Sequence, residues 1–298
     1  MKNKFHGVYA ALLTPFNKDG MVCKTRLRKL VRFLISRKID GLYICGGTGE
    51  GPSMDVDERK MVVETVREEA GSEVRLIAHV GGSLNTRNAV ELAKHAEKMK
   101  LDAVSSVAPI YYRFRFNEIF NYYKTLAGST SLPFLIYYIP VTTGVSLSND
   151  QIMTFLEIKN IIGLKYTHPD MYILQDLLLR AKGKWIAFSG PDEMALPGLT
   201  MGAVGSIGST QNVLPEIFKG IYDNFVAGDI REAVMLQKRI TVAVSLLLKY
   251  GGIPAWKTAL KFRGIDGGYA REPIKKALSQ SEEKEFYREW KRKFPDFT

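Results

Sequence analysis
Eight short apolar runs alternating with amphipathic segments predict a closed (β/α)₈ barrel carrying a C-terminal helical extension. Three observations lead there. No long linker or low-complexity stretch interrupts the alternation, and strands that alternate with helical patterns build parallel sheets. The runs number eight, which favours a closed barrel over an open doubly wound sheet. The length of 298 residues holds one such barrel of about 250 residues with some to spare.

In order, the strands are expected at Gly7–Leu13, Gly41–Cys45, Arg75–Val80, Ala103–Ala108, Phe134–Ile139, Ile161–Lys165, Trp185–Ser189 and Ala203–Ile207. Each is mostly apolar along its length, as a parallel strand covered on both faces requires. Between them lie Lys24–Arg37, Asp57–Ala70, Thr86–Lys98, Asn117–Ala127, Asn149–Glu157 and Met171–Ala181. Their apolar residues recur at i, i+3, i+4 and i+7, the stripe of a helix laid on a sheet. After the eighth run no further strand is expected, and Glu216–Ala227, Ile230–Lys249 and Pro254–Arg263 read as helices. The barrel, with its active site, is therefore expected at residues 1–214 and the extension at 215–298.

Composition narrows the class. Hydrophobic residues make up 46% and charged residues 24% of the chain, ordinary for a soluble globular enzyme. No apolar run approaches the roughly 20 residues that span a bilayer, and Met1-Lys2-Asn3-Lys4-Phe5-His6 lacks the apolar region of a signal peptide. A cytoplasmic protein without a membrane partner is expected. Cys23 and Cys45 have neither metal-like spacing nor a disulfide framework, and His6, His79, His95 and His168 are dispersed, so no metal is expected. The net charge of +11 raises nucleic acid as a partner. Its basic residues are scattered, however, and the denser groups at Lys24–Lys29 and Lys284–Lys293 are mixed with apolar positions. Solvated helix faces, and no specific nucleic acid, are the expectation.

The chemistry is expected at the carboxyl ends of the strands, where barrel enzymes place their sites. Ile162-Gly163-Leu164-Lys165-Tyr166-Thr167 carries an apolar run into one lysine. Desolvation disfavours an ammonium ion, so an amine at that position is a candidate Schiff-base nucleophile; a snorkelling strand-end lysine in an ion pair is the alternative. Gly46-Gly47-Thr48-Gly49-Glu50-Gly51 follows the second strand and suits either a carboxylate held by backbone N–H groups or a tight turn. Tyr111-Tyr112 and Tyr137-Tyr138 end the fourth and fifth strands. A phenol there can move a proton or simply pack, and alternation lets at most one of each pair face the pocket. Asp192-Glu193 after the seventh strand is suited to hydrogen-bonding the hydroxyls of a polyol, or Asp192 caps the next helix.

These motifs, taken with Gly190-Pro-Asp-Glu193 and Gly208-Ser-Thr-Gln-Asn212, resemble the dihydrodipicolinate synthase/N-acetylneuraminate lyase family of Schiff-base aldolases in order and spacing. The resemblance covers essentially the whole chain. It implies a barrel whose Lys165 condenses with the keto group of pyruvate, whose Gly47 and Thr48 hold the carboxylate, and whose Tyr137 moves the proton. Synthases of the family carry an arginine two residues after the proline of the Tyr-x-x-Pro motif, where this chain has Thr142. Asp192, Glu193 and Ser209 are instead similar to the lyase branch, which implies cleavage of N-acetylneuraminate to N-acetylmannosamine and pyruvate without a cofactor. Another 2-keto-3-deoxy sugar acid is the alternative substrate, and dihydrodipicolinate synthesis a more distant one. Thr167 and Gly190 join the expected substrate-binding set, and the resemblance also implies a homotetramer in which Tyr111 approaches a neighbour's site. Two positions depart from the lyase pattern: Gly47 stands where a serine or threonine is common, and Pro191 precedes Asp192.

Overall fold
The computed structural model describes residues 4–298, so the first three residues of the unit expected at 1–214 lie outside the described residues. Eight parallel strands close on themselves: β1 (Gly7–Ala11), β2 (Gly41–Ile44), β3 (Arg75–His79), β4 (Ala103–Val107), β5 (Phe134–Tyr138), β6 (Ile161–Tyr166), β7 (Ile186–Ser189) and β8 (Gly205–Gly208). Closure is made by β1 against β8, with Gly7 opposite Gly205 and Tyr9 opposite Ile207. Helices α1 (Lys24–Ser36), α2 (Val56–Ala70), α3 (Thr86–Lys98) and α4 (Phe116–Gly128) follow the first four strands. The short α5 (Pro140–Thr143) and α6 (Asn149–Thr154) follow β5, α7 (Met171–Arg180) follows β6, and α8 (Ala195–Thr200) follows β7. After β8 come α9 (Pro215–Ala227), α10 (Ile230–Lys249), α11 (Ile253–Phe262) and α12 (Gln280–Lys293).

The period of two along each strand divides the core in two. Val8 and Ala10 join the layer between strands and helices, whereas Tyr9 and Ala11 point into the barrel. Tyr9, Tyr43, Ile77, Leu135, Phe188 and Ile207 fill that interior, so the barrel is packed through its middle and opens only at its mouth. In the C-terminal helices Tyr250 stacks on Phe286 at 4.8 Å, and Trp290 lies 4.8 Å from Phe294. Arg28 and Arg32 of α1 pair with Glu68, Glu69 and Glu73, which places one of the basic groups on a solvated helix face.

Some boundaries differ from the sequence expectation for local reasons. β1 ends at Ala11 rather than Leu13, because the Leu13 N–H donates to the Asn212 side chain at 3.0 Å and not to a neighbouring strand. β6 runs one residue past Lys165, to Tyr166. The helix expected at Asn149–Glu157 stops at Thr154 and tightens into a 3₁₀ turn over Phe155–Glu157. Among the described residues no helix is long and apolar enough to cross a membrane.

Candidate active site
The carboxyl ends of the strands surround a cavity of ≈ 430 Å³. Seven of the residues singled out from sequence line it: Gly47, Thr48, Tyr137, Lys165, Thr167, Gly190 and Ser209. Lys165 is 4% exposed and pairs in register with Tyr137 on β5 and Phe188 on β7. Its Nζ lies 3.9 Å from the centre of the Tyr137 ring and 4.3 Å from that of Tyr43. Among the described residues Lys165 joins no ion pair, so the snorkelling ion-pair alternative does not hold. A buried amine with aromatic faces around it and an open cavity in front is placed to attack a carbonyl carbon.

The glycine-rich loop supplies one wall. Cys45 and Glu50 both take left-handed backbone angles, φ 59° and 55°, and the turn closes through Glu50 N–H to Gly47 O and Gly51 N–H to Gly46 O at 3.0 Å each. The Gly47 and Thr48 N–H groups donate to no protein acceptor among the described residues, which leaves them free to donate to a ligand. Thr48 Oγ1 and Ser209 Oγ are 2.6 Å apart, tying this wall to the loop after β8. Beneath the loop, Glu50 is 2% exposed and accepts from Lys257 Nζ at 2.5 Å and from the Arg271 N–H at 2.7 Å. Lys257, on α11, also donates to the Thr14 and Tyr269 carbonyls at 2.8 and 2.6 Å. Burial lowers its ammonium pKa to about 8, against the raising effect of Glu50.

The remaining sequence candidates sit around this cavity without all lining it. Asp192 is 8% exposed; its Oδ2 accepts from the Thr210 N–H at 2.8 Å, while Oδ1 is buried with no partner. It does not cap its own helical turn. Oδ1 occupies the space that a side chain at Gly208 would need, so the glycine lets a carboxylate stand directly behind the cavity wall. Burial raises its pKa to about 6. Glu193 is exposed and does not line the cavity. Tyr111 and Tyr112 are 81% and 64% exposed, and neither lines the cavity. β4 stops at Val107, so the alternation expected for that pair does not apply. For the β5 pair it does: Tyr137 faces the cavity and Tyr138 stacks on Tyr166 at 5.8 Å outside it.

Sequence reading missed Tyr43 and assigned His79 no place in the site. Both are buried beside Tyr137, whose ring meets theirs edge-on at 5.9 and 5.8 Å, and His79 itself lines the cavity. His79 Nδ1 is 3.1 Å from Cys45 O, and burial followed by the Arg59 charge holds its pKa well below the usual imidazole range. Thr167 Oγ1 is buried against Gly190 with no hydrogen-bond partner. Among the described residues no group of His, Cys, Asp and Glu is arranged to hold a metal ion.

The model of the dihydrodipicolinate synthetase family matches residues 4–292. N-acetylneuraminate lyase of Clostridium perfringens is 41% identical over 279 residues, which cover 93% of this chain and 96% of that one. The structure of CdNal from Clostridium difficile in complex with mannosamine is 38% identical and superposes with a TM-score of 0.92 over 96% of this chain and 99% of that one. The catalytic lysine mutant of Ruminococcus gnavus sialic acid aldolase, 28% identical, gives a TM-score of 0.93 over 99% of both chains.

Proposed function
Because the chain belongs to the dihydrodipicolinate synthetase family, we propose that it is a Schiff-base aldolase cleaving N-acetylneuraminate to N-acetylmannosamine and pyruvate, with Lys165 as the nucleophile. The observation that carries the reading is Lys165 itself, a buried lysine that lines the cavity between the rings of Tyr43 and Tyr137 and has no acidic partner among the described residues. Its relatives named N-acetylneuraminate lyase are carbon–carbon lyases, and a structural neighbour is described by its catalytic lysine.

The Lys165 amine adds to the C2 keto carbon of the open-chain substrate, and loss of water gives a protonated imine. Tyr137, left as a phenolate by giving its proton to the departing water, takes the proton of the C4 hydroxyl as the C3–C4 bond breaks. The bonding electrons pass into the imine, leaving an enamine on Lys165 and releasing the aldehyde of the sugar. Tyr137 returns that proton to C3, and addition of water to the imine then frees pyruvate and restores the amine. The scheme needs no metal or organic cofactor. The Gly47 and Thr48 N–H groups and the Thr48 hydroxyl hold the carboxylate, where fixed donors act more strongly than in water. Thr167, Gly190 and Ser209, which line the cavity, meet the polyol, while Asp192 supports the wall from behind Gly208 and Glu193 lies outside the lining. Thr142 lines the cavity and offers no cation to a second carboxylate, which favours the lyase over the synthase.

The same reading takes residues 1–214 as the catalytic barrel and 215–298 as its extension, in a cytoplasmic homotetramer. Tyr111, exposed and at φ 80°, is the residue offered to a neighbouring copy; sedimentation of the purified protein tests that assembly. Substrate identity is tested with a panel of N-acetylneuraminate and 2-keto-3-deoxy sugar acids assayed for pyruvate release. The highest kcat/KM is expected with N-acetylneuraminate, and a clear preference for an unacetylated keto acid would reassign the substrate.

A further inference from the structure
With Lys165 read as the imine-forming residue, the premise here, dehydration leaves a full positive charge on a nitrogen that is nearly out of water. A buried cation is costly unless something compensates it. Among the described residues no carboxylate pairs with Lys165, and Asp192, whose charge reaches it, is a neighbour behind Gly208 and not a contact. What does face Nζ is aromatic: the Tyr137 ring at 3.9 Å and the Tyr43 ring at 4.3 Å.

We propose that Tyr43 is a further catalytic residue, whose ring face stabilises the iminium charge on Lys165. An aromatic face carries negative charge density and attracts a cation within about 6 Å, more strongly where water is excluded. Tyr43 meets both conditions. It is 0% exposed, and its hydroxyl is bonded to Ser105 Oγ at 2.9 Å, which fixes the ring and occupies the hydroxyl outside proton transfer. The loop above presses on the same ring: a Cβ at Gly46 would lie 2.8 Å from its Cε1. Tyr137 shares the cation but moves a proton as well, so Tyr43 is where the electrostatic contribution can be isolated.

A ring that only fills space and a ring that binds charge are separated by fluorination, which keeps shape and apolarity while withdrawing charge from the face. Tyr43→Phe is the parent. Beside it stand proteins with 4-fluoro-, 3,5-difluoro- and 3,4,5-trifluorophenylalanine at the same position. The readout is the equilibrium fraction of pyruvate imine, trapped with borohydride and measured by mass spectrometry, alongside the melting temperature. Imine formation should fall stepwise along the series, by about 5- to 30-fold in total, with unchanged melting. A flat series would overturn the role of Tyr43 while leaving Lys165 as nucleophile. No adduct on the wild type would overturn the imine reading and this proposal with it. If Tyr43→Phe does not fold, 3-fluoro- and 3,5-difluorotyrosine keep the bond to Ser105 and carry the same test, with the same stepwise fall expected.

Discussion
Asp192 offers the sharpest test of whether the cavity wall carries strain held for a ligand. Burial raises its carboxyl from the ordinary 3.8 to about 6. At about 1.4 kcal/mol per pH unit, ionising it in the native state costs about 3 kcal/mol relative to the unfolded chain. The folded pKa lies above the unfolded one, so between about pH 4 and pH 6 the native protein binds more protons than the unfolded one. Its stability falls as pH rises through that window, and the favourable contribution is fully present only below about pH 4. Asp192→Asn removes the titration. The amide oxygen still accepts from Thr210, while the amide nitrogen inherits the unpartnered position of Oδ1, at a cost of about 1–2 kcal/mol. The variant should therefore be more stable than the wild type by about 1–2 kcal/mol at pH 7, with the difference crossing zero on acidification and reversing to about 1–2 kcal/mol in favour of the wild type near pH 4. Urea unfolding at fixed protein concentration from pH 4 to 7.5 measures this. Turnover should drop at the same time, as expected where a destabilising group is kept for function. Identical pH slopes in the two proteins, or a less stable variant at pH 7, would refute the reasoning.

Other substitutions probe the frame around the nucleophile. Lys257→Met strands the buried Glu50 carboxylate and should cost about 3–5 kcal/mol in urea unfolding; adding Glu50→Gln should recover part of it, and a loss under about 1 kcal/mol would contradict the anchoring role. Gly47→Ser should leave the melting temperature almost unchanged, since a Cβ there meets nothing within 4 Å, whereas Gly51→Ala drives a methyl into the Cys45 carbonyl and should cost about 1–3 kcal/mol. Tyr137→Phe keeps the ring beside Lys165 but loses the hydroxyl, so borohydride should still trap the pyruvate imine while kcat falls by about 10²- to 10⁴-fold.

What the sequence made legible was whatever is written locally. Eight apolar runs give eight strands because a doubly covered parallel strand must be apolar throughout. Lys165 stands out because a charge ends such a run, and the loop after β2 because its glycines are contiguous. The unread parts depend on contacts between distant positions. Glu50 meets Lys257 across 207 residues and Thr48 meets Ser209 across 161, and no period or spacing announces either. Tyr43 was hidden for a different reason: in an apolar strand a tyrosine looks like filling, and only barrel closure brings its face to Lys165. Asp192 was read as a cap or a polyol ligand, yet its partner is the Thr210 N–H on the next loop, and Gly208 makes room for it.

The central claim is that Lys165 cleaves N-acetylneuraminate through an imine, and pyruvate release from that sugar by the wild type and by Lys165→Ala under the same conditions tests it most directly. Release by the wild type alone, with Lys165→Ala folded and inert, is the predicted result. Comparable release by Lys165→Ala would contradict it.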